Sequence, residues 1–245
     1  MKITILTLFP EMFEGFLNTS IIKKARLKEL VEFELVDIRS FTINKHNRVD
    51  DYPFGGGQGL VMAVQPIADA LKSVRKDKSK VMMASASGTT INQAKVRKLA
   101  EEEHLILLCG HYEGIDQRVM KLVDEEFSIG DYILTGGELP SMVLADAITR
   151  LLEGVIKEDS HLDESFENGL LEYPHYTRPE EYEGEAIPEV LKSGHHENIR
   201  RFRLKESLRK TWSVRPDLFK NYELNKEETD LLIEILKENL KKLDK

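Results

Sequence analysis

Residues 109–116 read CGHYEGID, and residues 128–140 read SIGDYILTGGELP. Each segment lies at the end of a short strand-like run, residues 105–108 for the first and 126–129 for the second. Glycine at a strand exit lets backbone amides and carbonyls approach a ligand that a Cβ atom would keep away. Ligands of open α/β sheets bind in the crevice at the carboxyl ends of strands. We therefore expect the two segments to line one pocket.

Strand-like and helix-like segments alternate over the first part of the chain. Short apolar or alternating runs predict strands at residues 3–8, 31–38, 81–84 and 105–108. Helical patterns cover residues 11–30, with a break near Asn18, then 65–76 and 94–103, and a further helix begins near Pro140. Residues 39–59 are expected to form a loop. Strands separated by helices predict an α/β fold with a mostly parallel sheet.

The periodic pattern is lost between residues 154 and 188, where prolines and glycines interrupt a polar stretch. Helical periodicity returns over residues 189–192, 197–211 and 226–243. Long stretches without periodicity are usually functional loops or linkers. The chain is therefore predicted to have an α/β domain (residues 1–157), an extended linker (158–188) and a small all-helical domain (189–245).

The composition is that of an ordinary globular protein, with 41% hydrophobic and 32% charged residues in a chain of 245. Residues 1–9 lack the features of a signal peptide, and no apolar run is long enough to span a membrane. The single cysteine, Cys109, excludes an intrachain disulfide and suits a reducing compartment. We interpret it as a buried strand residue rather than a nucleophile. These features predict a cytoplasmic protein with no membrane partner.

The charge of the chain is unevenly distributed. The formal net charge is −8, whereas nucleic-acid-binding proteins usually carry a basic surface. Residues 192–215, which we call the basic stripe, nevertheless contain eight lysines and arginines and only two glutamates. The cations are Lys192, Arg200, Arg201, Arg203, Lys205, Arg209, Lys210 and Arg215. A basic stripe on an otherwise acidic chain is compatible with an RNA contact.

Several familiar sites are excluded by their missing residues. The first strand is not followed by the G-x-G-x-x-G pattern of a dinucleotide fold. The glycine run of residues 55–59 lacks the lysine and serine or threonine of a phosphate loop, so a tight turn fits it about as well as a binding role. The histidines show no metal-ligand spacing, and no serine nucleophile elbow is present.

The two glycine segments closely resemble bacterial tRNA (guanine-N1)-methyltransferases. The matching residues are 110–118 (GHYEGIDQR), 128–132 (SIGDY) and 135–140 (TGGELP). The resemblance extends over the chain through residues 6–13 (LTLFPEMF), 52–59 (YPFGGGQG), 169–171 (GLL), 174–179 (PHYTRP), 200–204 (RRFRL) and 211–212 (TW). The probability that so many motifs occur in the same order by chance is very small.

The resemblance implies a knotted α/β methyltransferase that works as a homodimer, with its active site at the subunit interface. S-adenosylmethionine would bind inside a deep trefoil knot, and the methyl group would go to N1 of guanosine 37 in tRNA. The resemblance also suggests a magnesium requirement, but it assigns no metal ligands. The residues expected around the cofactor are Met83, Ala84, Ser85, Ala86, Gly110, Tyr112, Glu113, Gly114, Ser128, Ile129, Gly130, Asp131, Tyr132, Ile133, Leu134, Gly136, Gly137 and Pro140.

The reaction requires two further groups. Guanine N1 carries a proton, so a base must remove it, and a cation must stabilise the negative charge left on O6. Arg150 matches the catalytic arginine of the family, although its spacing from Asp146 also fits an ordinary i,i+4 ion pair. The family's base is an aspartate directly before a Ser-Phe pair. Here Glu164 occupies that place and Asp163 precedes it, so one of the two is expected to be the base, with Glu164 preferred.

The resemblance and the basic stripe imply that the helical domain, residues 189–245, binds tRNA. The tRNA contacts that they imply are His175, Arg178, Arg200, Arg201, Arg203 and Lys210. Two other functions remain open from the sequence. One is a knotted methyltransferase that acts at another RNA position, and the other is an RNA-binding protein without catalytic activity.

Overall fold

The structure is a computed structural model that describes residues 1–157 and 164–243. The chain divides into two compact units, Met1–Lys157 and Glu158–Lys245. The strands are β1 (Lys2–Thr7), β2 (Glu32–Asp37), β3 (Asp50–Asp51), β4 (Val61–Met62), β5 (Ser79–Thr90), β6 (His104–Leu108), β7 (Glu125–Ser128), β8 (Glu181–Tyr182) and β9 (Glu185–Ala186). The helices are α1 (Glu14–Leu17), α2 (Ser20–Leu27), α3 (Val64–Val74), α4 (Gln93–Ala100), α5 (Glu138–Thr149), α6 (His196–Val214) and α7 (Lys226–Leu243).

The first unit is built on a sheet whose strand order is β2-β1-β6-β5-β7. All of its strand pairs are parallel. Alternate residues of a strand face opposite sides, so Ile5 and Leu107 pack in one core cluster while Leu6 and Leu108 pack in the other. Helices α2, α4 and α5 cover the first side and α3 covers the second. This confirms the predicted α/β fold with a mostly parallel sheet.

Several element boundaries differ from the predicted ones. The helix predicted over residues 11–30 is divided into a 3-10 turn (Pro10–Phe13), α1 and α2. The strand predicted at residues 81–84 extends to Thr90 through a bulge, because Ala84 and Thr89 both pair with Phe127. A Cβ atom on Gly88 would lie 2.5 Å from the backbone of Phe127, so this close approach requires glycine. The loop predicted over residues 39–59 contains a 3-10 turn and β3, which pairs with β4.

The second unit has its own small core. Leu208 of α6 packs with Leu231 and Ile235 of α7, and Leu170 is buried in the same cluster. Leu170 lies in the segment assigned to the linker, and the antiparallel β8–β9 hairpin also lies there. The assignment of a linker and of a tRNA-binding domain stays a prediction. In the described ranges, no helix combines the length and the apolar character needed to cross a membrane.

His104, at the start of β6, is buried within a hydrogen-bond network. Thr4 Oγ1 donates to Glu34 Oε2 at 3.0 Å and lies 2.8 Å from His104 Nε2, which therefore acts as the donor. Ser79 Oγ lies 2.7 Å from Nδ1 and can donate to it. The network therefore satisfies a neutral ring. Burial, reinforced by Lys2, lowers the pKa of His104 below its ordinary value of 6.5.

We predict that the free energy of unfolding decreases as the pH falls below about 6.5, because the unfolded chain then binds a proton at His104 that the folded protein does not. The slope contributed by one such group is at most ~1.4 kcal/mol per pH unit. Urea denaturation of the wild type and of His104→Gln between pH 5 and 8 measures it. The variant, which cannot titrate at this position, should show a flatter profile. Parallel profiles would show that His104 is not the group responsible.

Candidate functional site

A cavity of about 400 Å³ lies against the bulge of β5 and the loops that follow β6 and β7. These strands are neighbours in the sheet and run parallel, so their carboxyl ends share one edge. The volume falls within the range of ~300–1,000 Å³ that is usual for small-molecule sites. This is the edge at which the sequence predicted a ligand pocket.

All of the residues predicted to surround a cofactor line this cavity except Asp131. Asp131 is exposed and lies outside the lining. The cavity also includes residues that were not predicted, namely Ser87, His111, Ile115, Gln117, Met120, Glu126, Phe127 and Thr135. His111 could have been inferred from its place between Gly110 and Tyr112. Gln117 and Met120 lie on a 3-10 helix (Gln117–Leu122) that no periodicity in the sequence indicated.

The two glycine segments touch each other directly. The N–H of Gly137 donates to the carbonyl oxygen of Gly110 at 2.8 Å, and His111 forms an antiparallel bridge with Gly136. A Cβ atom on Gly137 would lie 2.8 Å from Cys109 Cα and 2.9 Å from Gly110 N. Backbone packed this closely leaves no room for a side chain. Gly137 therefore fixes one wall of the cavity.

The opposite side of the first segment is held by β4 and its preceding loop. Glu113 N donates to Leu60 O at 3.1 Å, and Met62 N donates to Gly114 O at 2.9 Å. Asp116 N then donates to Met62 O at 3.0 Å. The segment after β6 is thus hydrogen-bonded on both sides. Tyr112, within it, has a positive φ of 60°, an uncommon conformation for a residue with a side chain.

A buried carboxylate lies beneath the cavity. Glu138, at the start of α5, is 2% exposed, and its Oε1 accepts a 2.8 Å hydrogen bond from Thr7 Oγ1 of β1. His111 Nδ1 lies 3.8 Å from Glu138 Oε2, and the His111 ring packs against Phe9. A carboxylate in the first turn of a helix is stabilised by the helix dipole. Glu138 therefore ties the end of β1 to the second glycine segment, a contact that sequence spacing could not indicate.

Cys109 ends the buried strand β6 and is fully buried, with its Sγ 3.3 Å from Ser141 Oγ. Burial raises the pKa of this thiol well above its ordinary value. Because the thiolate is the reactive form, Cys109 is an unreactive core residue. This agrees with the interpretation drawn from the sequence.

The residues predicted for catalysis lie in different parts of the structure. Arg150 follows the last residue of α5, is partly buried, and donates its backbone N–H to Asp146 O at 3.1 Å. Glu164 belongs to the second unit and is also partly buried. Asp163, the alternative base, lies outside the described residues.

The predicted RNA-binding residues have local partners in the second unit. Arg200 pairs with Glu197 at 2.7 Å and with Glu227 at 2.6 Å, and Arg201 pairs with Glu234 at 2.6 Å. Much of the basic stripe is therefore neutralised by carboxylates, several of them on α7.

The remaining members of the predicted set make other contacts. The Arg203 guanidinium lies 4.9 Å from the centre of the Tyr173 ring. Lys210 Nζ donates to Glu172 O at 3.1 Å. His175 Nε2 lies 2.7 Å from Glu172 Oε1, and Arg178 is exposed. Within residues 1–157 and 164–243, no group of three or more His, Cys, Asp or Glu side chains is arranged to hold a metal ion.

A parallel sheet packed between helices, with a glycine-walled cavity at its carboxyl edge, is the architecture typical of α/β domains that bind small ligands. The sequence profile of the family described as tRNA (Guanine-1)-methyltransferase TrmD matches residues 1–221. A protein of Clostridium botulinum named tRNA (guanine-N(1)-)-methyltransferase is 56% identical over 234 residues, covering 95% of this chain and 97% of its own. A protein of the same name from Clostridium beijerinckii is 54% identical, covering 95% and 98%. The chain belongs to the tRNA (guanine-N1)-methyltransferase family.

Proposed function

We propose that this protein transfers a methyl group from S-adenosylmethionine to N1 of guanosine 37 in tRNA, producing 1-methylguanosine next to the anticodon. Membership of the family supports the reaction type and the tRNA substrate. The observation that carries the cofactor assignment is the cavity at the carboxyl ends of β5, β6 and β7. Its loops form the trefoil knot in this proposal, and the contact between Gly110 and Gly137 would join the two knotted segments.

The residues present suit an adenosyl ligand. The cavity has apolar walls from Met83, Ile129, Ile133 and Leu134, which can pack against an adenine ring. Its glycine segments expose backbone groups, which can bind the polar edges of the ligand. S-adenosylmethionine, when bound, supplies a methyl group on a positively charged sulfur.

The chain itself must supply the acid–base chemistry. In the proposed mechanism Glu164 accepts the proton from guanine N1, and the Arg150 guanidinium stabilises the charge that develops on O6. Asp163 is the alternative base. A carboxylate has an ordinary pKa near 4 and is a weak base for this proton, so its position beside a cation matters more than its basicity. A magnesium ion remains a further expectation, which assays with and without a chelator test.

We propose that the active site is completed by a second copy of the chain. Gly137 and Pro140, at the start of α5, line the cavity, whereas Arg150 follows the last residue of that helix. Pro140 and Arg150 are ten residues apart, a rise of about 15 Å along the helix, which exceeds the reach of an arginine side chain. Tyr132, Ile133 and Val143 expose apolar surface beside the cavity and the helix, as expected of an interface. A monomer in sedimentation equilibrium at assay concentrations would contradict the homodimer.

The proposed function is tested by incubating the purified protein with labelled S-adenosylmethionine and bulk tRNA and then mapping the modified nucleotide. We expect label at N1 of guanosine 37. Label at another nucleotide would instead indicate a methyltransferase with a different site, and binding of tRNA without any label would indicate a non-catalytic RNA-binding protein. A cytoplasmic location is part of the proposal and follows from a tRNA substrate.

The salt dependence of tRNA binding tests the predicted RNA contacts on α6. Each phosphate contact by a cation contributes about 0.7–0.9 to the slope of log K against log salt. We predict that Arg203→Ala with Lys210→Ala lowers the slope by about 1.4–1.8. The matched pair Arg200→Ala with Arg201→Ala should change it by less than half as much, because glutamates already compensate those charges. An unchanged slope in both variants would show that this face of α6 is merely solvated.

A further inference from the structure

Two exposed loops of the first unit flank β3 in the sequence. The first, residues 42–48, is closed by a 2.6 Å hydrogen bond from Thr42 Oγ1 to Arg48 O. Gln65 of α3 anchors its start, because Gln65 Nε2 donates to Phe41 O at 2.8 Å. The second, residues 52–60, connects β3 to β4. We refer to residues 42–60 together as the lobe. Hydrogen bonds hold the first loop at both ends, and paired strands hold the second.

The lobe exposes cations and aromatic rings. Lys45 and Arg48 are exposed and form no ion pair with any residue in the described part of the chain. Tyr52 is 78% exposed and Phe54 is fully exposed. The lobe also carries two carboxylates, those of Asp50 and Asp51 in β3. Asp50 is half-buried, and the exposed Asp51 accepts a 2.8 Å hydrogen bond from Tyr52 N at its Oδ1. Tyr52 and Phe54 are separated by one residue, and exposed apolar side chains that cluster in this way mark interaction sites.

The lobe is attached to the wall of the cavity. Leu60 O accepts the hydrogen bond from Glu113 N, and Glu113 lines the cavity. Gly59, at the end of the second loop, packs so closely against the Glu113 side chain that a Cβ atom there would collide with it. A substrate whose reacting base meets a cofactor bound in the cavity would therefore have its neighbouring nucleotides near the lobe.

The charges favour RNA as the occupant. Among the described residues Lys45 and Arg48 form no ion pair, unlike Arg200 and Arg201 of the basic stripe, so their side chains remain available to phosphates. Exposed aromatic rings beside cations are the arrangement with which proteins bind single-stranded nucleic acid, since every base has a face on which a ring can stack. A second copy of this chain would find less to bind there, because the lobe's cations would have to be buried.

We infer that the lobe binds unpaired nucleotides of the RNA substrate, with Tyr52 and Phe54 stacking on bases and Lys45 and Arg48 contacting phosphates. This inference rests on the proposed function, because it assumes a tRNA substrate whose reacting base lies next to the cofactor cavity. It adds a substrate-binding surface in the first unit to the contacts predicted in the second.

The test measures binding of an unmodified tRNA transcript that carries guanosine at position 37, by fluorescence anisotropy at several salt concentrations. Loss of one stacking contact weakens binding by about 5- to 150-fold, so Tyr52→Ala and Phe54→Ala should each raise the Kd by that factor. Lys45→Ala with Arg48→Ala should lower the salt slope by about 1.4 for single-stranded contacts. The matched control is Lys24→Ala with Lys98→Ala, which removes two exposed lysines elsewhere and should leave the slope unchanged.

Two further measurements distinguish the outcomes. Phe54→Leu keeps apolar bulk but removes the aromatic face, so it should bind tRNA as weakly as Phe54→Ala. If it binds like the wild type, stacking is excluded and the inference fails. If Phe54→Ala instead dissociates the protein in sedimentation experiments, the lobe is an interface between copies of the chain. A wild type that methylates guanosine 37 while all lobe variants bind tRNA normally would overturn this inference and leave the proposed function intact. A wild type that neither binds nor methylates tRNA would overturn the proposed function itself.

Discussion

Single-turnover methyl transfer by the Glu164→Gln variant is expected to be about 10²–10⁴-fold slower than by the wild type, because the carboxamide cannot accept the proton from guanine N1. The substitution keeps the size of the side chain, so binding of S-adenosylmethionine and tRNA should change little. Saturating concentrations of both isolate the chemical step. A rate that recovers with increasing pH would show that deprotonation of the guanine has become limiting.

Asp163→Asn and Arg150→Ala are the comparisons that identify the base and the cation. If Glu164 is the base, Asp163→Asn should retain nearly the wild-type rate. Arg150→Ala should be slow at every pH, because it removes the charge that stabilises O6 rather than the group that takes the proton. Wild-type rates in both carboxamide variants would show that neither residue is the base, and the proposed mechanism would fail at that step.

The second large effect is expected at Gly137. The sequence alone suggests that Gly110→Val and Gly137→Val both block the cofactor while leaving the protein folded. The structure separates the two positions, because a Cβ atom on Gly137 would meet the backbone of Cys109 and Gly110 at 2.8–2.9 Å. Backbone atoms cannot move aside as the end of a flexible side chain can. Gly137→Ala should therefore lower the free energy of unfolding by ~1–3 kcal/mol and displace a wall of the cavity.

The measurements are thermal unfolding and titration calorimetry with S-adenosylmethionine. A loss of 1 kcal/mol corresponds to a decrease in Tm of ~2–4 °C in a chain of this size. Gly110 supplies the matched control, since a Cβ atom there would meet only the Ile115 side chain at 3.3 Å. Gly110→Val should keep a Tm close to that of the wild type while losing cofactor affinity. Wild-type affinity in both folded variants would exclude this cavity as the cofactor site.

The parallel sheet and the position of the cavity could be predicted because their signals are local. Apolar runs such as residues 105–108 mark buried strands, and glycines directly after them mark strand exits. The catalytic and RNA-binding roles, in contrast, came from the resemblance to a family. Spacing alone would have left Arg150 as half of a surface ion pair.

Other features depend on contacts between distant parts of the sequence. The hydrogen bond between Thr7 and Glu138 joins residues far apart in the chain, and neither residue type signals it. The β3–β4 pair has two residues in each strand, too few for an alternating pattern. The basic stripe looked like an uncompensated cationic surface because its partners, Glu227, Glu234 and Glu238, lie on a later helix. Tertiary pairing of this kind decides which charges remain free.

That pairing between α6 and α7 bears on how the protein searches for its substrate. Cells contain a large excess of RNA that is not substrate, and indiscriminate attraction to phosphates would hold a basic protein on it. Lys205 forms ion pairs with Glu234 and Glu238, and Arg209 forms an ion pair with Glu238. These carboxylates belong to the same chain, so they compete with any RNA for the two cations. A random RNA strand therefore gains little by replacing them. We therefore expect the helix pair to bind RNA in general only weakly, which would favour short, reversible encounters over capture by the wrong molecule.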